Sequence, residues 1–348
     1  MASKSVVRRV TGDDVARDAG VSRALVSYVM NNAAGIQVRD STRRRILEAA
    51  SRLHYRPNHS ARAVRLGRFN CLALLLGTKF YLPQPLLEGL FRAAGMQAQH
   101  LLLSGLPERE LTDVQLAPLV LRELMVDGIL LNCPEDVPGE LFPTLERSGL
   151  PCISINLNRP ADCVYPADRE AAALATRHVL ELGHRRVGYI NLTGSGTHYS
   201  QAARAEGYAE TLRQAGLEPR VLAPAAAPAA AGGMRLVLDW LLQPERPTAI
   251  LAYSTPSATA LMLAAAHLGL SVPQDLSVIT IDMENSAPIG LCFGRCLTSF
   301  LMPWRAVAHE AVDMLLAKIA QPDVPLPSRA VPYPPLQAGE SCSPPPRG

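Results

Sequence analysis

Continuous apolar segments of strand length alternate with helix-like segments over most of the chain. They include CLALLLG, GILLN and CISIN in the first half and RRVGYIN, TAILAYS and SVITID in the second. Strands that are apolar on both faces are typical of parallel sheets covered by helices on both sides. About ten such strands are too many for one sheet. The sequence therefore predicts an α/β core of two doubly wound lobes, with ligand sites beyond the carboxyl ends of the strands.

The composition is that of a globular protein. Of the 348 residues, 48% are hydrophobic and 19% are charged, which argues against disorder. The opening segment MASKSVVRRV lacks the apolar region of a signal peptide, and no later segment approaches 18 consecutive apolar residues. A cytoplasmic protein without a membrane partner is therefore expected. The seven cysteines are scattered without a CxxC pair, so neither a disulfide framework nor a metal site is expected. A redox or metal role for Cys292 and Cys296 is the alternative, but no nearby His or third Cys completes a ligand set. No cofactor is expected.

The charge is divided unevenly along the chain. Residues 1–68 contain 14 Lys and Arg against five Asp and Glu, a net charge of +9, and the total of +3 leaves −6 for the remaining residues. This concentration of positive charge at one end predicts a segment that binds a polyanion such as nucleic acid.

The basic segment also carries the signals of three short helices. Thr11 and Asp14 have the spacing of a capping box, and Ser22 can cap a second helix after Gly20 ends the first. Two short helices that share a glycine turn define a helix-turn-helix. A third helix is expected to begin near residue 40 and to close the core. Its inward face would carry Ile46, Ala49, Ala50 and Leu53.

Two long segments of this basic region resemble the LacI/GalR family of bacterial transcription regulators. They are VTGDDVARDAGVSRALVSYVMNN and STRRRILEAASRLHYRPNHSARAVRLGR. Later segments resemble the core of the same family in the expected order: VDGILLN, GLPCISIN, LELGHRRVGYIN, RAEGYAETLRQAGL, GLSVPQDLSVITID and LTSFLMP. The resemblance covers roughly residues 6–325. It implies an N-terminal all-α helix-turn-helix headpiece and an α/β core of two doubly wound lobes, periplasmic-binding-protein-like type I.

The resemblance also implies domain boundaries. The domains would be a DNA-binding headpiece (1–56), a hinge (57–68), an effector-binding and dimerisation core (69–325) and a proline-rich tail (326–348). Because the family's chain crosses three times between lobes, lobe one would comprise about 69–162 and 292–325, and lobe two about 163–291. The prolines of the tail exclude the C-terminal coiled coil of tetrameric relatives, so a homodimer is expected.

By the same resemblance, the second helix enters the major groove of double-stranded operator DNA. Its first exposed residues, Arg23 and Ala24, would read base edges, and Tyr28 follows one turn later, where the family often carries arginine. In the hinge, Val64 stands at the place of the family's leucine wedge, and its shorter side chain is expected to bend the DNA less. The predicted DNA-binding set is Ser22, Arg23, Ala24, Ser27, Tyr28, Asn31, Arg62 and Val64.

The resemblance places a small-molecule effector in the cleft between the lobes. Arg204 matches an arginine that donates to ligand hydroxyls or a carboxylate, and Asp282 matches a carboxylate that accepts from hydroxyls. The alternative is that these two side chains pair with each other. Asp168 matches a cleft aspartate, and the alternative for it is a helix N-cap. The predicted effector-binding set is Phe80, Tyr81, Asp168, Arg204, Ser254 and Asp282.

The expected function is that of a repressor that binds a pseudo-palindromic operator as a dimer and responds to a sugar or related metabolite. Ser254 and Thr255 replace the family's usual Asn-Asp, which leaves open a less hydroxylated effector, a different binding register or no effector. The alternatives are a regulator that lacks a small-molecule effector or uses a protein corepressor, and a soluble small-molecule-binding protein. An enzyme is not expected, because the chain has no GxSxG, P-loop, GxGxxG or HExxH pattern.

Overall fold

The computed structural model describes residues 10–30, 37–56, 67–77, 82–106, 125–132, 139–193, 198–224, 230–282, 294 and 296–346. The chain divides into two compact units, Met1–Phe69 and Asn70–Gly348. None of the described helices is long and apolar enough to cross a lipid bilayer.

The described residues of the first unit form three short helices. They are α1 (Gly12–Ala19), α2 (Arg23–Met30) and α3 (Asp40–Arg52). The predicted capping box is confirmed, because the Thr11 amide donates to Asp14 Oδ2 at 2.9 Å and the Asp14 amide donates to Thr11 Oγ1 at 3.4 Å. Apolar side chains of all three helices meet in one buried core, which contains Val15, Ala16, Ala19, Val26, Val29, Ile46, Ala49 and Ala50.

The turn between α1 and α2 depends on Gly20. Its φ of 62° lies in the left-handed region, where a residue with a Cβ is strained. The following amide, that of Val21, donates to the Ala16 carbonyl at 3.0 Å and closes the end of α1. The Ser22 hydroxyl then accepts a hydrogen bond from the Leu25 amide at 3.2 Å, so the predicted cap of α2 is confirmed.

Two parallel sheets organise the second unit. The first has the strand order β11-β5-β4-β3-β1-β2, and the second has the order β10-β9-β8-β6-β7. Every paired strand within them runs parallel to its neighbour. The strands are β1 (Cys71–Leu76), β2 (His100–Gly105), β3 (Gly128–Asn132), β4 (Cys152–Ile155), β5 (Cys163–Pro166), β6 (Val187–Ile190), β7 (Arg220–Leu222), β8 (Ala249–Ala252), β9 (Ser277–Asp282), β10 (Thr298–Leu301) and β11 (Arg329–Val331).

Helices cover these sheets. They are α4 (Gln84–Met96), α5 (Leu141–Ser148), α6 (Asp168–Glu181), α7 (Tyr199–Gln214), α8 (Ala230–Leu241), α9 (Thr255–His267) and α10 (Trp304–Ala320). The central strands β3, β6 and β8 are buried at every residue. Their continuous apolar sequences are the signal from which the two lobes were predicted, and the two-lobed α/β architecture is confirmed.

The strands that border the crossings between lobes differ from the predicted boundaries. β5, expected in lobe two, pairs with β4 in the first sheet, and β10, expected in lobe one, pairs with β9 in the second. The predicted tail is not separate from the core, because β11 pairs with β5 and Ser341 is buried against the second sheet. The physical reason is that apolar residues in a strand indicate that the strand is buried, but they do not indicate with which distant strand it pairs.

Candidate DNA interface and ligand pocket

One face of α2 is turned away from the core of the first unit. Val26 and Val29 are buried, whereas Ser22, Arg23 and Ala24 are exposed at the N-terminal end of the helix. Ser27 and Tyr28 are half-buried one turn later. The other predicted DNA-binding residues, Asn31, Arg62 and Val64, lie outside the described residues.

Arg23 is held only loosely by its own unit. Its Nη1 lies 3.4 Å from Asp13 Oδ2, and both side chains are more than half exposed. An exposed pair of this kind contributes little to stability, so the guanidinium is free to exchange Asp13 for another acceptor. Arg44 and Arg45 are exposed on α3 and add positive charge to the same unit. The first unit therefore presents a short helix with a small, arginine-bearing end, a shape and charge that fit a DNA groove.

The second unit contains a buried ion pair between α6 and α7. Arg204 Nε donates to Asp168 Oδ1 at 2.6 Å, and the two side chains are 5% and 0% exposed. Asp168 is the first residue of α6, and the N-cap is Ala167, so the alternative assignment of Asp168 as the cap is wrong. The partner of Arg204 is thus Asp168, while the side chain of Asp282 lies outside the described residues.

The remaining Arg204 nitrogens are also engaged. Nη1 donates to the Tyr253 carbonyl at 2.5 Å, and the Tyr253 ring centroid lies 4.7 Å from Arg204 Cζ. Nη2 donates to Tyr333 Oη at 3.3 Å and lies 3.6 Å from Met302 Sδ. A guanidinium with almost no exposed surface is tolerated only when its donors are satisfied in this way.

Two tyrosine hydroxyls complete the coordination of Asp168. Tyr333 donates to Oδ1 at 2.8 Å, and Tyr199 donates to Oδ2 at 2.6 Å. Burial raises the pKa of both tyrosines well above the ordinary value, and the neighbouring Asp168 charge raises each pKa further. Both phenols therefore stay neutral and act as hydrogen-bond donors to the carboxylate.

A second polar chain runs beside the ion pair. Tyr253 Oη and Ser200 Oγ are 2.8 Å apart, and Ser200 Oγ lies 2.7 Å from His198 Nδ1. His198 Nε2 lies 3.0 Å from the Asn156 carbonyl, which only accepts, so Nε2 carries the proton. This chain connects the end of β8 in the second sheet with the end of β4 in the first.

Two buried polar atoms at these strand ends have no hydrogen-bond partner among the described residues. They are Asn156 Oδ1, just after β4, and Ser254 Oγ, at the N-cap position of α9. An unsatisfied buried polar group is costly. Their position beyond the carboxyl ends of parallel strands is where ligands bind in such folds.

The sequence predicted three of the residues at this site and missed others. Asp168 and Ser254 lie at the starts of α6 and α9, and Arg204 lies in the second turn of α7. Phe80 and Tyr81 lie outside the described residues. The residues missed are Tyr199, Tyr253, Tyr333, His198, Ser200 and Asn156. A signal existed for Tyr253 and Asn156, which directly follow apolar strands, but none existed for Tyr333.

The described part of the chain contains no group of three or more His, Cys, Asp or Glu side chains that could hold a metal ion.

Two family models match the chain. One, for bacterial regulatory proteins of the lacI family, matches residues 11–58. The other, for a periplasmic binding protein-like domain, matches residues 176–342. The first match spans the three-helix unit, and the second spans Arg204, Tyr253 and Tyr333.

Similar curated proteins include HTH-type transcriptional repressors named PurR. The PurR of Vibrio vulnificus (strain CMCP6) is 27% identical over 326 residues, which are 88% of this chain and 91% of the relative. The PurR of Erwinia tasmaniensis is 29% identical over 323 residues, 88% of this chain and 89% of the relative. The similarity thus extends over both units.

Solved structures share the fold. The crystal structure of the Lac repressor dimer bound to operator and the anti-inducer ONPF has a TM-score of 0.75 and 22% identity, and the match covers 97% of this chain and 100% of that one. The complex of the transcriptional regulator CelR with cellobiose has a TM-score of 0.61 and 22% identity, covering 96% and 100%.

The three-helix unit, the two-sheet unit and the two family matches agree with one another. This chain belongs to the LacI/GalR family of bacterial transcription regulators.

Proposed function

We propose that the protein is a transcriptional repressor that binds a pseudo-palindromic operator and whose DNA affinity is modulated by a small molecule in the cleft between the lobes. The observation that carries this proposal is the exposed end of α2, with Arg23 and Ala24 on a well-packed helix-turn-helix unit. The relatives named as repressors, and the Lac repressor described as bound to operator, support it.

The chemistry of α2 assigns a role to each exposed residue. The Arg23 guanidinium matches guanine O6 and N7 bidentately, and the Ala24 methyl matches a thymine methyl. Ser22, Ser27 and the helix N-terminus suit phosphate oxygens. Tyr28 occupies the next turn and would set the choice at a further base. Base contacts would then decide the sequence, while phosphate contacts supply most of the affinity.

In this proposal, polar groups beyond the strand ends of the two sheets would hold the effector. Asn156 Oδ1 and Ser254 Oγ offer unused hydrogen-bonding capacity. Ser254 follows Tyr253, whose carbonyl accepts from Arg204, and the Asn156 carbonyl contacts His198, which precedes Tyr199. A ligand that binds one arrangement of the lobes better than the other shifts the balance between DNA-binding states, typically by about 1–3 kcal/mol. The CelR complex with cellobiose makes a sugar or related metabolite a reasonable effector class.

A regulator without a small-molecule effector, or with a protein corepressor, is the second candidate. One observation favours it: the described hydrogen-bonding groups of Asp168 and Arg204 are bonded to side chains and carbonyls of the chain itself. Catalysis is not part of either proposal. Both candidate regulators, with and without a small-molecule effector, act on operator DNA, so we place the protein at the nucleoid in the cytoplasm.

A homodimer supplies the two headpieces that a symmetric operator requires. Large apolar side chains are exposed on the edge strand β2 and on α4, which packs beside it: Leu102, Leu103, Phe91 and Met96. Such surfaces are typical of protein–protein interfaces. Sedimentation of the full chain at micromolar concentration is expected to give a dimer, and a tetramer would contradict this part of the proposal.

Binding-site selection with two variants tests the DNA-reading assignment. We expect Arg23→Ala to relax base choice at one position of each half-site, by roughly 1–3 kcal/mol. Arg44→Ala, which removes an exposed arginine of α3, should weaken all sites alike. The assignment of Arg23 is wrong if its variant keeps the base preferences of the unmodified protein.

A further inference from the structure

In the described part of the core, three short segments carry the chain between the two sheets. The first is Ala167, which joins β5 of the first sheet to α6, a helix packed on β8 and β9. The second is 302–303, which joins β10 of the second sheet to α10, packed on β3 to β5. The third is 332–336, which leads from β11 to the point where Gln337 and Ser299 exchange backbone hydrogen bonds beside β10. These segments are the crossovers.

The Arg204 guanidinium contacts residues of the second and third crossovers and the residue that directly follows the first. Nε binds Asp168, the residue that follows the first crossover. Nη2 lies beside Met302 Sδ of the second and donates to Tyr333 Oη of the third. A single buried side chain therefore connects the three segments about which the lobes would move.

Tyr333 provides the hydroxyl at the centre of this arrangement. Its Oη donates to Asp168 Oδ1 at 2.8 Å and accepts from Arg204 Nη2 at 3.3 Å. A hydroxyl that accepts from a guanidinium and donates to a carboxylate makes the two bonds that a ligand hydroxyl would make at such a pair. The pair has almost no exposed surface, so an incoming molecule could not bind both groups while the phenol remains.

We propose that Tyr333 is a built-in ligand of the Asp168–Arg204 pair, whose phenol takes the place of an effector hydroxyl and holds the three crossovers together without an effector. This inference rests on the proposed effector site and specifies how that site is regulated. A polyol reaches Asp168 and Arg204 only by displacing the phenol. An effector that leaves Tyr333 in place binds Asn156 and Ser254 instead.

Tyr333→Phe removes the hydroxyl and keeps the ring. In hydrogen exchange of the full chain, we expect the amides of Trp304 and Gln337, which border two of the crossovers, to exchange roughly tenfold faster than in the unmodified protein, as expected for one lost hydrogen bond to a charged group. Tyr199→Phe is the matched control. It removes the other hydroxyl that donates to Asp168, but Tyr199 lies on α7 with Arg204, so these two amides should keep their exchange rates.

Tyr333→Ala allows a rescue by the missing group. The variant lacks a side chain with the shape of phenol, and millimolar phenol is expected to raise its melting temperature by binding the folded state. Benzene fits the same space but has no hydroxyl, so it should raise the melting temperature much less. Neither compound should stabilise the unmodified protein, in which Tyr333 fills the site.

The proposal is overturned if Tyr333→Phe exchanges like the unmodified protein, or if benzene stabilises Tyr333→Ala as much as phenol does. Neither readout involves DNA. A protein that selects no operator would therefore refute the proposed function while leaving these results to decide the role of Tyr333.

Discussion

Gly207 allows α6 and α7 to approach each other closely. A Cβ built at Gly207 would lie 2.1 Å from the carbonyl oxygen of Arg169, a separation that real side chains do not reach. Arg204 lies one turn before Gly207 on α7, and Asp168 precedes Arg169 on α6. The contact between helix backbones thus helps to bring the guanidinium and the carboxylate within 2.6 Å.

Gly207→Ala is therefore expected to destabilise the core by about 3 kcal/mol or more, because the added methyl must push two helices apart. Gly95→Ala is the matched control, since a Cβ at Gly95 of α4 meets no atom within 4 Å. That variant should be unchanged or up to ~1 kcal/mol more stable, through reduced backbone freedom in the unfolded chain. Urea denaturation measures both, and equal stability of the two variants would contradict the account.

Side chains of the site differ in how far the sequence could predict them. Arg204 and Asp168 stand in segments whose local pattern resembles the family, so their place could be predicted. Tyr333 is separated from Arg204 by 129 residues and from Asp168 by 165, and its proline-rich surroundings carry no periodic signal. Its role follows from tertiary contacts alone, which no local pattern encodes.

At the scale of elements, the C-terminal segment is joined to the second sheet by a buried histidine. His184 Nε2 lies 2.8 Å from the Ser343 carbonyl, and Nδ1 lies 2.9 Å from Thr248 Oγ1. Because a carbonyl only accepts, Nε2 carries the proton and Nδ1 accepts from the threonine. Burial lowers the pKa of His184 below its ordinary value of 6.5, an effect that the Ser343 hydrogen bond partly opposes.

The lowered pKa gives the stability of the core a pH dependence. The unfolded chain binds the His184 proton more readily than the folded chain, so the stability from neutral His184 is full above pH 6.5 and is lost as the pH falls through the lower folded pKa. His184→Gln should lower the free energy of unfolding by about 1–3 kcal/mol at neutral pH. The free energy of unfolding of this variant should also decline less steeply than that of the unmodified protein between about pH 7 and pH 5. If the urea midpoints of the variant and of the unmodified protein fell equally as the pH was lowered, His184 would not be the source of the pH dependence.

Helices and strands were more predictable than their assignment to sheets. Apolar runs such as CLALLL and GILLN became the buried strands β1 and β3, because burial on both faces requires apolarity at every residue. β5 and β10 are equally strand-like, but their sheets depend on pairing with distant segments. The tail was set apart because the resemblance to the family ends near residue 325. Proline excludes a coiled coil there, but it permits the edge strand β11 and extended segments.

At the scale of the whole molecule, the two units divide the function. The first supplies the positive charge and the exposed end of α2, and the second supplies a buried polar cluster around Arg204 that lies where the chain passes between the two sheets. Because Tyr333 already occupies the Asp168–Arg204 pair, we expect operator binding without any added metabolite. Effector control would then act by releasing or reinforcing this arrangement rather than by creating it.

Operator binding by this protein can be measured by binding-site selection from a random duplex library, with the full chain, no added metabolite and a fixed moderate salt concentration. We predict enrichment of a two-fold symmetric motif with a guanine at the position read by Arg23 in each half-site. Failure to enrich any motif above non-specific binding, or enrichment of a single asymmetric site, would contradict the claim that this protein is a dimeric operator-binding repressor.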